Sequence, residues 1–301
     1  MKYLVTGGAG FIGSNLVDEL VNKGHEVVII DNESAESNSE FYWNKNAKKY
    51  LNDINDFSSL NSIFSEEKPD MVFHLAAEAR IQPTINEPHK ACLTNFVGTC
   101  NVLQASRENG VKRVIYSSTS SAYGLKNKPP LNEEMPKDCL NPYSVSKTAG
   151  EELCKVYYKI YGLETITLRY FNVYGNREPI KGPYAPVVGL FIRQKKEGKP
   201  FTVVGDGQKT RDFTHIDDIV DGLVRCVGKE HKAEEFELGS GVNYSINEIA
   251  ELFKCETKYI PARSGEYDVT LCDYTKAEAD LGYQPKGNIK TYVKQWLEEN
   301  K

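Results

Sequence analysis

The chain has no apolar run near the ~20 residues that an α-helix needs to cross a bilayer. It has no positive excess either: 37 Lys and Arg stand against 42 Asp and Glu, a formal charge of −5. The first absence argues against a membrane span, and the second removes the basic footprint that nucleic-acid binding requires. Cysteine is sparse and scattered. The seven thiols, Cys92, Cys100, Cys139, Cys154, Cys226, Cys255 and Cys272, include no C-x-x-C pair. Neither a disulfide frame nor a zinc site is expected, and reduced thiols fit a cytoplasmic setting. The five histidines show no ligand spacing, so no metal is expected. No internal repeat is visible. An apolar run begins two residues into the chain, so no secretory leader is expected. What remains is the composition of a soluble globular protein, with 301 residues for one large domain or two modest ones.

The most informative stretch is Lys2 to Leu20. Tyr3-Leu4-Val5 is too short for a buried helix and suits a buried parallel strand. Gly7, Gly10 and Gly13 follow at intervals of three, and Phe11, Ile12, Leu16, Val17 and Leu20 then fall at helical spacing. Strand, glycine turn and helix together are the context a dinucleotide site requires. Gly7 allows the tight turn, Gly10 admits a pyrophosphate to the backbone, and Gly13 lets the helix pack close to the strand. The unpaired N–H groups at the helix start face the phosphates. A second apolar run, Glu26 to Ile30, ends in Asp31, about twenty residues on. A carboxylate there accepts hydrogen bonds from the adenosine ribose and would repel a 2′-phosphate, so NAD is favoured over NADP.

Strand and helix patterns then alternate. Asn32–Lys49 reads as a polar loop with a short helix around Phe41–Lys45, and Tyr50–Ile54 as the end of a third strand whose acidic residue could meet adenine. A helix is expected over Phe57–Phe64, a strand over Met71–Leu75, a helix over Cys92–Asn109 and a strand over Arg113–Ser117. Asn141 is a good N-cap, Pro142 suits the first helical turn, and Gly162 stops that helix after Tyr161. Glu164–Leu168 follows as a sixth strand. These alternations predict an α/β fold: a Rossmann-type doubly wound parallel sheet with right-handed crossovers. Proline and glycine become dense after Gly175. Residues 1–178 are therefore assigned to the dinucleotide-binding domain. Residues 179–301 are assigned mainly to a smaller α/β substrate domain, with some later segments returning to the first. Helices are expected at Val187–Lys196 and Ile289–Glu299, the last covering the sheet again. In such sheets ligands bind beyond the carboxyl ends of the strands.

Tyr143 and Lys147 lie four apart on one helix face. A free tyrosine titrates near ~10 and is a poor base at neutral pH; lowering it by about three pH units takes roughly 4 kcal/mol. A close lysine and the positive charge of oxidised nicotinamide supply that in a site shielded from water. The phenolate then accepts a hydroxyl proton while hydride leaves the same carbon. The hydroxyl-rich run Ser117 to Ser121 follows the fifth strand directly, where it can hold the same substrate oxygen.

With these motifs in order, the chain resembles the extended short-chain dehydrogenase/reductase family, and within it the NAD-dependent nucleotide-sugar epimerases. The resemblance covers nearly the whole chain. It rests on Thr6-Gly-Gly-Ala-Gly-Phe-Ile-Gly13, Asp31-Asn32, His74-Leu-Ala-Ala77, Asn95, the run to Tyr123-Gly124, Asn141-Pro-Tyr143-x-x-x-Lys147 and Leu168-Arg-Tyr-Phe-Asn172-Val-Tyr-Gly175. It continues through Gly205-Asp-Gly207, Thr210-Arg-Asp-Phe213, His215-Ile-Asp217, Arg263-Ser-Gly-Glu266 and Leu281-Gly-Tyr283. It implies that Tyr143 is the base, Lys147 its partner and Thr119 the catalytic hydroxyl. It implies NAD contacts from Gly7, Gly10, Phe11, Ile12, Gly13, Asp31 and Asn32, from Asp53 and Ile54 at adenine, and from Leu75, Ala76, Ala77, Asn95, Ser117, Tyr143, Lys147 and Tyr170. Substrate contacts are implied for Thr119, Asn172, Val187, Arg211, Arg263 and Glu266; the arginines suit bidentate diphosphate binding.

The related 4,6-dehydratases carry an Asp-Glu pair after the catalytic threonine. Here the matching residues are Ser120 and Ser121, which cannot do that acid–base work, so the resemblance implies epimerisation at C4 through a transient 4-ketose. Thr270, four after Glu266, resembles a position that shapes the sugar pocket. A UDP-glucose/UDP-galactose pair is expected, with UDP-N-acetyl sugars open. Two departures leave a hexuronate or a GDP- or CDP-hexose open as well: the atypical Asn32–Lys49 loop, and Glu78-Ala-Arg80, which puts a charge near the sugar. The alternatives are a net reductase, or a non-catalytic dinucleotide-binding regulator, which should have lost Tyr143, Lys147 or Thr119. A homodimer through the helices Cys92–Asn109 and Asn141–Tyr161 is implied by the same resemblance.

Overall fold

The computed structural model describes residues 1–228 and 232–300. The strands are β1 (Lys2–Thr6), β2 (Glu26–Asp31), β3 (Lys48–Leu51), β4 (Met71–His74), β5 (Arg113–Thr119), β6 (Glu164–Tyr170), β7 (Val173–Tyr174), β8 (Phe201–Val204), β9 (Thr210–Asp212), β10 (Thr214–His215), β11 (Glu234–Leu238), β12 (Asn243–Ser245) and β13 (Thr257–Ile260). The helices are α1 (Phe11–Asn22), α2 (Phe57–Glu67), α3 (Ile81–Asn86), α4 (Pro88–Cys92), α5 (Gly98–Glu108), α6 (Pro142–Tyr161), α7 (Val187–Lys196), α8 (Ile216–Arg225), α9 (Ile246–Leu252), α10 (Thr275–Leu281) and α11 (Ile289–Glu299). A π-helical turn, Leu93–Val97, joins α4 to α5.

Seven strands form one parallel sheet in the order β11-β6-β5-β4-β1-β2-β3. Because side chains alternate along a strand, each central strand feeds two cores. Tyr3, Val5, Val27, Ile29, Phe73 and Ile115 pack on the face covered by Leu16, Leu20, Ile219 and Leu223. Leu4, Val28, Ile30, Val72, Val114 and Tyr116 pack on the face covered by Leu60, Phe64, Val102 and Cys154. A third core gathers Phe191, Phe201, Phe253, Ile289 and Val293, with Phe191 and Phe201 stacked at 4.3 Å. The doubly wound parallel sheet is thus as the strand–helix rhythm implies.

Several local expectations are corrected. No helix forms around Phe41–Lys45. Five residues are too few to nucleate one unaided, and they are held singly instead: the Tyr42 amide donates to Ala9 O at 2.8 Å, and Trp43 Nε1 donates to Glu33 at 2.6 Å. The helix α11 does not cover the sheet. Ile289 and Val293 belong to the third core, because α8 and the residues of α10 already occupy that sheet face. The edge strand β3 stops at Leu51, and the helix expected over Cys92–Asn109 starts earlier, at Pro88, with a π turn in it. The cause of the extended start is local: Pro88 fits a first helical turn. Among the described residues no helix is long and apolar enough to cross a membrane.

Candidate active site

One cleft of about 860 Å³ opens at the carboxyl ends of β1, β2, β4, β5 and β6, and extends to the third core through Val187, Arg211, Arg263 and Glu266. At its sheet end, β1 leads into the glycine turn. Gly7 has φ +69°, and a Cβ there would meet the Ala76 amide nitrogen at 2.7 Å, so only glycine lets the turn lie against the chain leaving β4. The position of Gly10 differs: a Cβ would meet nothing closer than 3.4 Å, because that side faces the open cleft. This is the cradle a pyrophosphate needs, with Phe11, Ile12 and Gly13 lining it at the start of α1. Asp31 is buried at the end of β2. Its Oδ2 accepts from the Ala9 amide at 3.0 Å and its Oδ1 from the Glu33 amide at 2.8 Å. Burial raises its carboxyl, and those amides oppose the rise. Each oxygen keeps a lone pair for a ribose hydroxyl.

Asn32, Ile54, Leu75, Ala76, Ala77, Ser117 and Tyr170 also line the cleft; Asp53 and Asn95 do not. The chain turns after Leu51, so Asp53 spends its carboxylate on Asn32 Nδ2 at 3.0 Å and the Asn55 amide at 2.8 Å. Asn95 is fully buried in the π turn. Its side chain bonds the Glu78 amide at 2.8 Å, the Glu78 carbonyl at 3.0 Å and Ser146 Oγ at 3.0 Å. It is a strut that fixes the segment after Ala77 to α6, rather than a wall of the cleft. Ser117 Oγ and Tyr170 OH share a hydrogen bond of 2.8 Å beneath the cleft floor.

The helix α6 presents Tyr143 and Lys147. Its start is set by a capping box: the Ser144 amide donates to Asn141 Oδ1 at 2.8 Å, and the Asn141 amide donates to Ser144 Oγ at 3.3 Å. Asn141 Nδ2 also donates to Gly265 O at 2.8 Å, tying this helix start to the Arg263–Glu266 loop. Deeper in, Arg169 grips Glu151 in a bidentate pair at 2.8 Å, and Ser118 Oγ donates to Glu151 at 2.5 Å. These bonds fasten α6 to β5 and β6, one turn below Lys147. They hold the Glu151 carboxyl down, at about 2, against its burial.

Thr119, Tyr143 and Lys147 converge on the cleft. Lys147 is buried, with its ammonium 4.4 Å from the centre of the Tyr116 ring, and burial pushes it down to about 7. Burial raises the Tyr143 phenol; a hydrogen bond from Thr119 and the charge of Arg80 oppose the rise. The spacing Tyr-x-x-x-Lys points to Lys147 as the cation acting on the phenol. Before a cofactor adds its charge, the cation that acts on Tyr143 in the structure is Arg80. Ser120 and Ser121 both line the cleft, and Ser121 Oγ meets Tyr267 OH at 3.2 Å.

At the far end, Arg211 is held by the carbonyls of Thr210, Tyr267 and Asp268 and stacks on Tyr267, and Arg263 reaches Pro183 O and stacks on Tyr184. Both keep donors for a diphosphate. Asn172 Nδ2 donates to Asp212 O at 3.1 Å and contacts Thr270 Oγ1 at 3.4 Å. Thr270 is buried behind Asn172 and does not line the cleft, which corrects its expected place at the sugar. Of the two charges after Ala77, Glu78 is paired with Lys90 at 3.0 Å, and Arg80 is the one with a buried, unpartnered Nε. Sequence reasoning missed Tyr267 and Glu178. Adjacency to Glu266 could have signalled Tyr267; for Glu178 there was no local signal.

His74, at the end of β4, is buried between Thr6 Oγ1 at 2.7 Å and Thr99 Oγ1 at 2.9 Å. Burial, and secondarily the charge of Lys147, drives it down to about 3. Its folded value lies below the ordinary ~6.5, so the unfolded chain binds the extra proton, and stability present above ~6.5 falls as pH drops toward the folded value. Between pH 7 and 5 the protein is expected to lose about 2 kcal/mol more than a His74→Gln variant does, read from urea midpoints. Equal losses would remove His74 from the acid response.

Comparison with known proteins adds a family and its members. Residues 4–296 match the family model described as GDP-mannose 4,6 dehydratase. The UDP-glucose 4-epimerase of Mycolicibacterium smegmatis is 35% identical over 296 residues, covering 95% of this chain and 94% of that protein. The solved UDP-glucose 4-epimerase of Thermotoga maritima, with UDP-glucose, superposes with a TM-score of 0.93 at 35% identity, covering 100% of both chains. A UDP-glucuronic acid 4-epimerase of Bacillus cereus, in complex with UDP-glucuronic acid and NAD, superposes with a TM-score of 0.86 at 30% identity, covering 98% of this chain and 100% of that one.

Proposed function

We propose, for a chain that belongs to the GDP-mannose 4,6-dehydratase family of the short-chain dehydrogenases/reductases, the NAD-dependent epimerisation at C4 of a UDP-linked hexose, of the UDP-glucose/UDP-galactose type. The observation that carries this reading is one cleft holding Thr119, Tyr143 and Lys147 beside the glycine turn, with serines, not carboxylates, at 120 and 121. Bound NAD takes up and returns the hydride of the sugar carbon. Tyr143 accepts the C4 hydroxyl proton, and Thr119 holds the same oxygen. Lys147 would hold the cofactor ribose, and the charge of Arg80 favours the phenolate. Arg211 and Arg263 grip the diphosphate while the ketose turns between its two faces. Residues 1–178 supply the cofactor half, and 179–301 mainly the nucleotide-sugar half, although α8 and β11 return to the sheet. A hexuronate is the second reading, favoured by the unpaired guanidinium of Arg80.

The test is a nuclear magnetic resonance time course with UDP-galactose and no added reductant. UDP-glucose should accumulate to a fixed ratio with no net NADH. A 4-keto-6-deoxy sugar would overturn the argument from Ser120 and Ser121, and untouched UDP-galactose would move the substrate to another nucleotide sugar. The free thiols of the cysteines support a cytoplasmic setting. Leu93, Phe96 and Val97, with Val145, Val156, Ile160 and Tyr161, leave apolar surface exposed on the π turn and α6. That surface supports a homodimer through these helices. Light scattering should give twice 33.9 kDa; a monomer at micromolar concentration would count against it.

A further inference from the structure

Two charged side chains of the cleft are given no contact with the substrate in that scheme: Arg80, just before α3, and Glu178, on the loop between β7 and α7. Glu178 is buried to 7% exposure, and both its carboxyl oxygens are buried without a hydrogen-bond partner. Its position is enforced. A Cβ at Gly189 on α7 would sit 3.3 Å from both Cγ and Cδ of Glu178, and 2.4 Å from Pro179 O, so glycine at 189 is what lets the carboxyl lie there. Arg80 has the same defect in the opposite sense: its Nε is buried and donates to nothing. The charge of Arg80 is felt by Tyr143 and by Glu178 together. These three groups therefore share the part of the cleft around Tyr143, where the reacting sugar carbon must lie.

A folded chain rarely keeps three unpartnered polar atoms in one place, because each is left short of the hydrogen bonds it had in water. A ligand that completes them must donate to the carboxyl and accept from the guanidinium. Sugar hydroxyls do both at once. We propose that Arg80 and Glu178 are a sugar-reading pair that bonds hydroxyls of the UDP-linked sugar next to Tyr143. This rests on the nucleotide-sugar reading above. Burial raises the Glu178 carboxyl to about 8; the amides of Gly189 and Gly175, near it but short of full hydrogen-bond geometry, and the charge of Arg80 only partly oppose the rise. It therefore meets the sugar mainly protonated at neutral pH, able to give as well as accept a hydrogen bond.

The test is calorimetric titration of the purified protein with UDP and UDP-galactose, with KM and kcat measured alongside. Glu178→Ala and Arg80→Met should each weaken UDP-galactose about tenfold or more, as loss of hydrogen bonds to a charged or buried group does, and leave UDP unchanged. Glu178→Gln, which still donates and accepts, should stay within about threefold of the parent for UDP-galactose, since the amide keeps both capacities. The pair is overturned if UDP weakens as much as UDP-galactose, or if neither Glu178→Ala nor Arg80→Met weakens UDP-galactose. Arg80→Met serves alone if Glu178→Ala does not fold. Failure of the parent to turn over UDP-galactose would strike the proposed reaction; the binding comparison decides the pair separately.

Discussion

Replacing Tyr143 by Phe should lower kcat about 10²- to 10⁴-fold, the range that a positioned general base supplies, while UDP affinity and bound NAD stay close to those of the parent. The phenol oxygen is the only atom removed. The ring remains on α6, whose register is set by the Asn141 cap and by the Glu151–Arg169 pair one turn and more below. Neither of its two catalytic neighbours can replace it. Thr119 is a neutral hydroxyl whose oxygen already accepts from the Ser121 amide at 3.0 Å, and Lys147 lies with its ammonium over the Tyr116 ring. The pH dependence follows from the raised phenol. The anion is the active form and a raised value makes it scarce, so kcat/KM should climb with pH below that value. Arg80→Met, which removes a charge that favours the phenolate, should move the climb to higher pH. Stopped assays of both variants over a pH series read this directly. A Tyr143→Phe enzyme keeping more than about a tenth of the parent rate, far above what loss of a general base leaves, would assign the proton to another group.

A comparable loss is expected from a single methyl far from the reacting carbon. In Gly13→Ala the new Cβ would lie 2.1 Å from Gly7 O and 2.8 Å from Gly8 Cα. Both obstacles are backbone, so neither can rotate away. To reach an ordinary contact of about 3.5 Å, α1 and the glycine turn must separate by more than an ångström. That shift moves the helix start from the position where its N–H groups meet the pyrophosphate. A displacement of about 1 Å costs on the order of 10²-fold in function, so NAD should fall away on gel filtration and activity should return, if at all, only at high added NAD. Absorbance of the purified protein reports cofactor content, and far-ultraviolet circular dichroism separates loss of cofactor from loss of fold. A Gly13→Ala protein that retains NAD like the parent would show that the turn has slack which this packing denies.

The successes and failures of sequence reading share a cause. The helix α6 runs over Pro142–Tyr161 and α7 over Val187–Lys196, as the patterns imply. For α6 the signals are its own: an Asn cap, a proline in the first turn and Gly162 at φ +72° just past the end. The glycine turn and Asp31 were legible for the same reason, since a strand, a turn and a helix start are decided within a dozen residues. The failures lie where competing partners came from elsewhere. Phe41–Lys45 looked helical until Ala9 and Glu33 took its polar groups. The amphipathic α11 matched any apolar surface, and only the chain's path delivered it to Phe253 and Phe201 rather than to the sheet.

The sequence alone determined the candidate chemical groups this chain carries: the glycines, the carboxylate at the end of β2, and a phenol and an ammonium one helical turn apart. Covalent spacing and the 3.6-residue period place such groups without reference to distant contacts. Tertiary structure alone decided which charges surround that chemistry. Arg80 acts on Tyr143 across 63 positions, Glu178 faces Arg80 from beyond β7, Asn95 became a strut and Thr270 a support behind Asn172. Those relations are set by the crossovers that close the parallel sheet and by burial, which strips water from each group and leaves its strength to the neighbours the fold happens to bring near.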